Sequence, residues 1–417
     1  MRLRRFLKSL GPGLLYAGAA VGVSHLVQST RAGAAFGFDL VWILLLANLI
    51  KYPFFEFGPR YAIATGNSLI SGYEKLGKWA VVLFALLTVS TMFAIQAAIT
   101  LVTAGLLASI FNITINIVGL CAMILGVTMT ILLVGKYCAL DKLIKFIIVT
   151  LALSTVVAVF FAFNIELEVR PEFMQHFNWG RAADIAFLIA FIGWMPAPID
   201  ISVWHSLWSV AKNKELHGST TMGEALLDFR IGYIGTALLA LGFLTLGALV
   251  MYGTGEELSA QGSVFAGQLI NLYTTSLGDA LYWVIAIAAL TTMFSTTITV
   301  LDAYPRVLKP TTEILFPRFR PRRHENPWLF FFWLFVLVAG TLILLGVLSG
   351  SMRFMVDLAT TLSFITAPVL AIMNYKVITD KSIPSEAKPK PWLRTYAIIG
   401  IIFLSLFTVI YVVWRLV

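Results

Sequence analysis

Three side chains at intervals of three, His25, Gln28 and Arg31, share one face of a helix and could together hold a charged or polar ligand. They follow an interruption. The stretch Gly11 to Ala34 is apolar enough for a bilayer, yet Gly18, Gly22 and Ser24 break it at mid-span. Backbone freed from helical bonding at membrane depth persists only where protein or a wet cavity satisfies it. The stretch therefore reads as two half-helices meeting at a site. A second stretch, Asp184 to Val210, repeats the pattern, with Gly193, Pro196 and Pro198 at its centre and Asp200 and His205 beyond. Two discontinuous hydrophobic segments in corresponding halves of a chain point to the binding site of a secondary transporter.

Ionisable side chains within membrane spans cost about 2.5–3.5 kcal/mol on insertion scales, so each is a functional candidate. His25 could donate to an anion, ligate a metal, or satisfy carbonyls of its own break. Arg31 stays protonated and lines a path or pairs with an acid. Asp200 falls in the first turn of a second half-helix, where the dipole favours an acid, so capping competes with ligand binding. His205 either packs as a core histidine or reaches the ligand. Ser24, Gln28, Ser202, Thr297 and Thr366 could offer neutral hydrogen bonds to a substrate, or serve as glue between helices. Glu56 with Lys51 and Arg60, and Asp302 with Arg306, have spacings that suit structural or gating pairs within a helix. Asp357 has Arg353 four residues earlier to neutralise it.

The elements that position these groups follow from composition. Of 417 residues, 59% are hydrophobic and 12% charged, and the mean hydropathy is +0.88. Soluble domains carry roughly 25% charged residues, so the chain is read as an integral membrane protein of all-α class. Its net charge of +9 lies in loops between apolar segments, where it sets topology rather than binding nucleic acid. Cys121 and Cys138 have no metal-like spacing and read as small core residues. The basic start, MRLRRFLKSL, lacks a cleavage site after a short apolar region and reads as the lead-in to a retained span. No HExxH and no paired catalytic carboxylates suggest an enzyme, and no cofactor is expected.

The expected spans are Pro12–Gly33 (broken), Leu40–Ala64, Trp79–Phe111, Ile115–Val134, Leu143–Phe163 and Asp184–Val210 (broken). Ile231–Tyr252, Ala280–Ala303, Trp328–Leu348, Phe354–Asn374 and Tyr396–Trp414 follow, which makes about eleven helices. Basic residues fill alternate connections: Arg2, Arg4, Arg5 and Lys8, then Lys75 and Lys78, then Lys136, Lys142 and Lys145, then Lys212 and Lys214. The run Arg306 to Arg323 and the run Lys376 to Arg394 continue the series, whereas Gly253 through Ser276 has no basic residue. The positive-inside rule gives a cytoplasmic N-terminus and an external C-terminus, in a prokaryotic inner membrane.

Several runs resemble the NRAMP-type (natural resistance-associated macrophage protein) transporters. These are the opening GPG, STRAGAAFGFDLVWILLLANL from Ser29 to Leu49, and GPRYAIATGNSL from Gly58 to Leu69. GKYCALDKLIKFIIVTL from Gly135 to Leu151 and FSTTITVLDAYPRVL from Phe294 to Leu308 add to them. The resemblance covers about residues 10–375. It implies a LeuT-like fold: two inverted five-helix repeats (about 10–163 and 182–376), an extra C-terminal helix (about 391–417), broken first and sixth spans, and alternating access around a midplane site. It also implies a metal site, and there the sequence departs. Where the family has Asp-Pro-Gly-Asn, this chain has Gly22, Val23, Ser24 and His25. The family's sulfur position in the sixth span falls on Met195 or, by flanking residues, on Ala197 or Pro198. Its third span carries acids tied to proton movement, whereas Trp79–Phe111 has no ionisable residue.

A dication stripped of water needs anionic or several oxygen ligands. The first break offers Gly22, Ser24 and His25 with Arg31 beyond, a better match to an anion, since half-helix N-termini are also positive. The expected substrate is a small inorganic ion, with an anion of bicarbonate size preferred and a divalent cation of the magnesium or manganese class as the alternative. A channel or a sensing receptor on a transporter scaffold is the reading from another class. The expected partners are that ion and the lipid bilayer.

Overall fold

The computed structural model describes residues 11–134, 137–165, 170–320, 327–348 and 351–416, without the side chains of 137–148, 415 and 416. The basic residues Arg2 to Lys8, Lys136, Lys142, Lys145, Arg322 and Arg323, and Cys138, lie outside the described residues or side chains.

The first span is α1 (Pro12–Ala20), a bend at Val21 and Gly22, a π-helical turn over Ser24–Ser29, and α2 (Thr30–Phe36). Helices α3 (Val41–Thr65), α4 (Leu69–Leu76), α5 (Lys78–Phe111), α6 (Ile117–Val134) and α7 (Tyr137–Ala162) complete the first half. The sixth span is α8 (Ala182–Trp194) and α9 (Ile201–Glu215), separated by Met195 to Asp200. Then come α10 (Met222–Val250), α11 (Gly262–Leu277), α12 (Tyr282–Leu315), α13 (Trp328–Leu348), α14 (Met352–Thr379) and α15 (Pro391–Leu416). Eight of these helices are long and apolar enough to cross a membrane unaided, and among the described residues α7 and the two interrupted spans bring the crossings to eleven.

Every backbone polar group in a bilayer must be satisfied internally, which is why helices dominate and why the breaks lie inside the bundle. Large apolar side chains such as Trp42, Leu86, Leu153, Phe160, Ile343 and Val409 face outward, where lipid would meet them. Small residues let the spans approach closely. A Cβ at Gly13 would lie 2.1 Å from the Asp228 carbonyl oxygen, and one at Gly33 would lie 1.9 Å from that of Leu244. These two glycines seat both halves of the first span on α10. The other main packing block is α5 against α11, α12 and α14.

Three expectations change. Gly253 to Ser276, read as a loop, contains α11, whose Phe265, Leu269 and Tyr273 are buried. Its 16 residues are too few to span, and its apolar face is buried by packing on α5. Helix α12 continues past Ala303 to Leu315 with Pro305 and Pro310 inside it. Gly193 stays helical, because without a Cβ it lets the Thr360 carbonyl oxygen within 2.1 Å of where that atom would stand. The sixth-span break therefore begins two residues later.

Candidate functional site

The two interrupted spans meet below a cavity of about 650 Å³ that opens at the end of the first span away from Pro12. Asp184, Phe187, Glu257, Arg353 and Asp357 line it, with Arg31 at its floor. Arg31 is nearly buried, and its guanidinium grips Asp357 in a fork at 2.7 and 3.3 Å. Gln28 closes the triangle, accepting from Arg31 at 3.0 Å and donating to Asp357 at 3.2 Å. The Phe187 ring lies 5.1 Å from the same guanidinium. Of the two roles open to Arg31, the structure shows pairing with an acid while the pair lines the cavity.

Below this floor, the first-span break is closed by neutral groups, some its own and some from α10 and α12. The Ser24 hydroxyl donates to the Ala20 carbonyl at 2.6 Å. The Nδ1 of His25 lies 2.7 Å from that hydroxyl, and its Nε2 donates to the Thr236 carbonyl at 2.9 Å. His25 is fully buried with both ring nitrogens engaged. At Gly22 an added Cβ would meet the Thr296 side chain at 2.9 Å. Thr296, rather than Thr297, contacts this break: its hydroxyl lies 3.3 Å from the carbonyls of Gly18 and Val21 and 3.0 Å from that of Thr292 in its own helix. Thr297 turns to α5, where its hydroxyl meets that of Thr103 at 2.8 Å.

The sixth-span break is held from outside. The Lys51 ammonium, on α3, donates to the carbonyls of Ile192 at 2.6 Å, Gly193 at 2.8 Å and Ala197 at 3.4 Å. Lys51 is fully buried. The expected pairing of Lys51 with Glu56 is thus corrected: Glu56 binds Arg60 at 2.5 Å and accepts from Tyr52 at 2.6 Å. Asp302 and Arg306 pair as expected. In the sequence Lys51 reads as a local partner of Glu56, and nothing local shows that it reaches the sixth span.

Asp200 makes no cap bond with its side chain. One carboxylate oxygen accepts from Tyr304 at 3.3 Å, and the other is buried with no partner. It borders a cavity of about 10 Å³ with Thr88, Thr91, Ser363 and Thr366, room for one water-sized occupant. Met195 is buried and receives the Ser29 hydroxyl at 3.7 Å, so its sulfur faces the first span. His205 stacks on Tyr16, ring centres 5.8 Å apart, and neither of its nitrogens has a partner. Ser202 accepts from Asn374 at 2.8 Å, in the glue role. Of the expected residues, then, Ser24 and His25 gather at one break, Ala197 and Asp200 at the other, and Gln28 and Arg31 at the cavity floor. Thr366 lines the small cavity, while Thr297 and His205 lie in helix packing. Among the described residues no group of three or more His, Cys, Asp or Glu side chains could hold a metal.

The N-terminal side is closed over these breaks. Asp228 accepts the backbone N–H of Gly11 at 3.2 Å and of Gly13 at 2.6 Å, which pins the start of α1 to α10. Tyr73 donates to Asn374 at 2.5 Å, and Arg230 reaches Glu56 at 3.7 Å.

Two interrupted spans, a cavity open to one side and a closure on the other define a membrane transporter of LeuT-like fold, not an enzyme. The family model for natural resistance-associated macrophage protein-like sequences matches residues 13–414, and the chain belongs to that family. An uncharacterized protein of Pasteurella multocida is 36% identical over 407 residues, covering 97% of this chain and 92% of that one. The divalent metal cation transporter MntH of Staphylococcus haemolyticus is 23% identical over 264 residues, 61% of this chain and 58% of that protein. In fold, a variant of the Eremococcus coleocola manganese transporter superposes with a TM-score of 0.71 at 14% identity, covering 98% of this chain and 87% of that one. A closed nucleobase-cation-symport-1 family transporter gives 0.61 at 13% identity, covering 98% and 93%.

Proposed function

We propose that this protein is a secondary transporter that moves a small inorganic ion by alternating access. The observation that carries this is the one-sided cavity: its floor is made from residues of the first and tenth spans, and the ends of α1, α3 and α10 close the other side. The basic connections argue that the closed side is cytoplasmic, in the inner membrane of a prokaryote. The two halves of the chain, about 10–163 and 182–376, act as the inverted repeats that rock against each other.

For the ion itself, the relatives favour a divalent metal cation. The chain offers hard oxygen donors for one: the unpartnered Asp200 carboxylate oxygen with Thr88, Thr91, Ser363 and Thr366 around it. That set of oxygens suits the magnesium or manganese class, which prefers oxygen, for an ion that has shed its water. A second reading, a small anion, is favoured by charge. Arg31 lies at the cavity floor, and the Thr296 side chain crowds Gly22, where the family's carboxylate would be. Nothing singles out bicarbonate among such anions, so the preference for it is not carried forward.

A proteoliposome flux panel separates the two. Under the cation reading, manganese or magnesium enters faster than into empty vesicles, and Asp200→Asn abolishes the difference. Under the anion reading the metals give no signal, a small anion does, and Arg31→Gln reduces it. Vesicles that move neither class would refute ion transport.

A further inference from the structure

We propose that the Lys51 ammonium is a tethered cation, occupying in the sixth-span break a cage of carbonyls that would otherwise hold a free monovalent ion. The cage follows from where α8 stops. A helix leaves its last carbonyls without intrahelical partners, and its C-terminal end carries partial negative charge. Here Ile192 and Gly193 belong to the last turn of α8, and Ala197 lies across the bend. All three carbonyls converge on one nitrogen, at 2.6, 2.8 and 3.4 Å. An ammonium has three hydrogens to donate and nothing to accept, so donors and acceptors match in number. Rings of carbonyl oxygens around a cation replace its hydration shell in the same way.

A simple structural peg would not need a charge. Burying an ammonium is costly unless it is paired and fully hydrogen-bonded. A neutral donor such as glutamine would satisfy carbonyls more cheaply. Asp200 lies three residues past Ala197 on the same break. The break thus contains a cation and an anion supplied by the chain itself. In broken-helix transporters, unwound carbonyls and half-helix C-termini coordinate the coupling ion. With Lys51 in that place, occupancy no longer depends on ion concentration, and the protein's stability should not respond to sodium or potassium. This inference stands whichever ion is transported, and its test does not read transport.

The test uses the full chain in detergent, followed by intrinsic tryptophan fluorescence on heating. Wild type, Lys51→Ala and Lys51→Gln are compared in choline chloride and in sodium, potassium, methylammonium or tetramethylammonium chloride at one ionic strength. The wild-type midpoint should be the same in all salts. Lys51→Ala should melt lower in choline and rise by several degrees with potassium or methylammonium, but not with the bulky tetramethylammonium. A wild-type midpoint that rises with sodium or potassium would overturn the proposal, because the break would then be holding a free ion. So would a folded Lys51→Ala that no small cation stabilises. If Lys51→Ala yields no folded protein in any salt, Lys51→Gln decides. A glutamine variant as stable as wild type shows a neutral peg and overturns the proposal, whereas one that melts several degrees lower supports a required charge.

Discussion

The two breaks solve one physical problem in different ways. Both free backbone carbonyls inside the membrane, where no water can pair them. The first-span break uses neutral groups, several of them neighbours in sequence: Ser24 returns to Ala20, and His25 packs against Ser24, while the Thr236 carbonyl and the Thr296 hydroxyl come from other helices. The sixth-span break imports its partner from α3, and that partner is charged. A break closed by neutral groups has no buried charge to strand when its helix shifts. One closed by a distant ammonium ties two helices together, and any movement of α8 against α3 must exchange or carry those bonds. The first and sixth spans therefore differ in what holds them, although their interruptions look alike in sequence.

The contrast is most exposed at Lys51. Lys51→Met should destabilise the protein by on the order of 3–5 kcal/mol, since removing one member of a buried charged network strands the rest. Chemical or thermal unfolding in detergent measures it. A loss no larger than that of Ser24→Ala would erase the distinction between the breaks.

Next in size is Gly193→Ala, whose Cβ would lie 2.1 Å from a backbone oxygen of α14. The expected cost is about 3 kcal/mol, the upper end for overpacking, because backbone cannot step aside. Gly22→Ala meets only the Thr296 side chain at 2.9 Å and should cost less. Equal melting losses in the two variants would show that the α8–α14 contact is more yielding than its geometry says.

Ser24→Ala sharpens the first break. It removes the hydroxyl beside the Nδ1 of His25 and should cost about 1–3 kcal/mol, the range for a buried polar group left unpaired. Rescue by Ser24→Thr, which restores the hydroxyl, would confirm that the bond rather than the volume matters.

The smallest effect on stability belongs to Arg31→Gln. Asp357 is 37% exposed, so solvent screens the pair, and the loss should be about 1 kcal/mol or less. Transport should suffer more than stability, because the pair forms the cavity floor. Unchanged flux in vesicles together with a large fall in the melting midpoint would reverse that assignment and make Arg31 a structural residue.

The sequence by itself determined the class, the spans and the places where two of them break. Hydropathy over about 20 residues fixes a membrane helix regardless of its neighbours. Glycine and proline at mid-span mark a break for the same local reason, as Gly22, Pro196 and Pro198 did. Intrahelical pairs four residues apart, such as Glu56 with Arg60, were legible too, because the helix itself sets their distance.

What only the tertiary structure decided is which partner each polar group takes across the bundle. Lys51 lies 141 positions from Ile192, and Arg31 lies 326 from Asp357. Thr296 and Thr297 are adjacent on α12, yet one faces the first-span break and the other faces α5. A helix turns its side chains through fixed angles, but its rotation about its own axis is set by packing against other helices. No spacing within the chain encodes that rotation. It is why a lysine that reads as half of a local ion pair instead closes a break in another span.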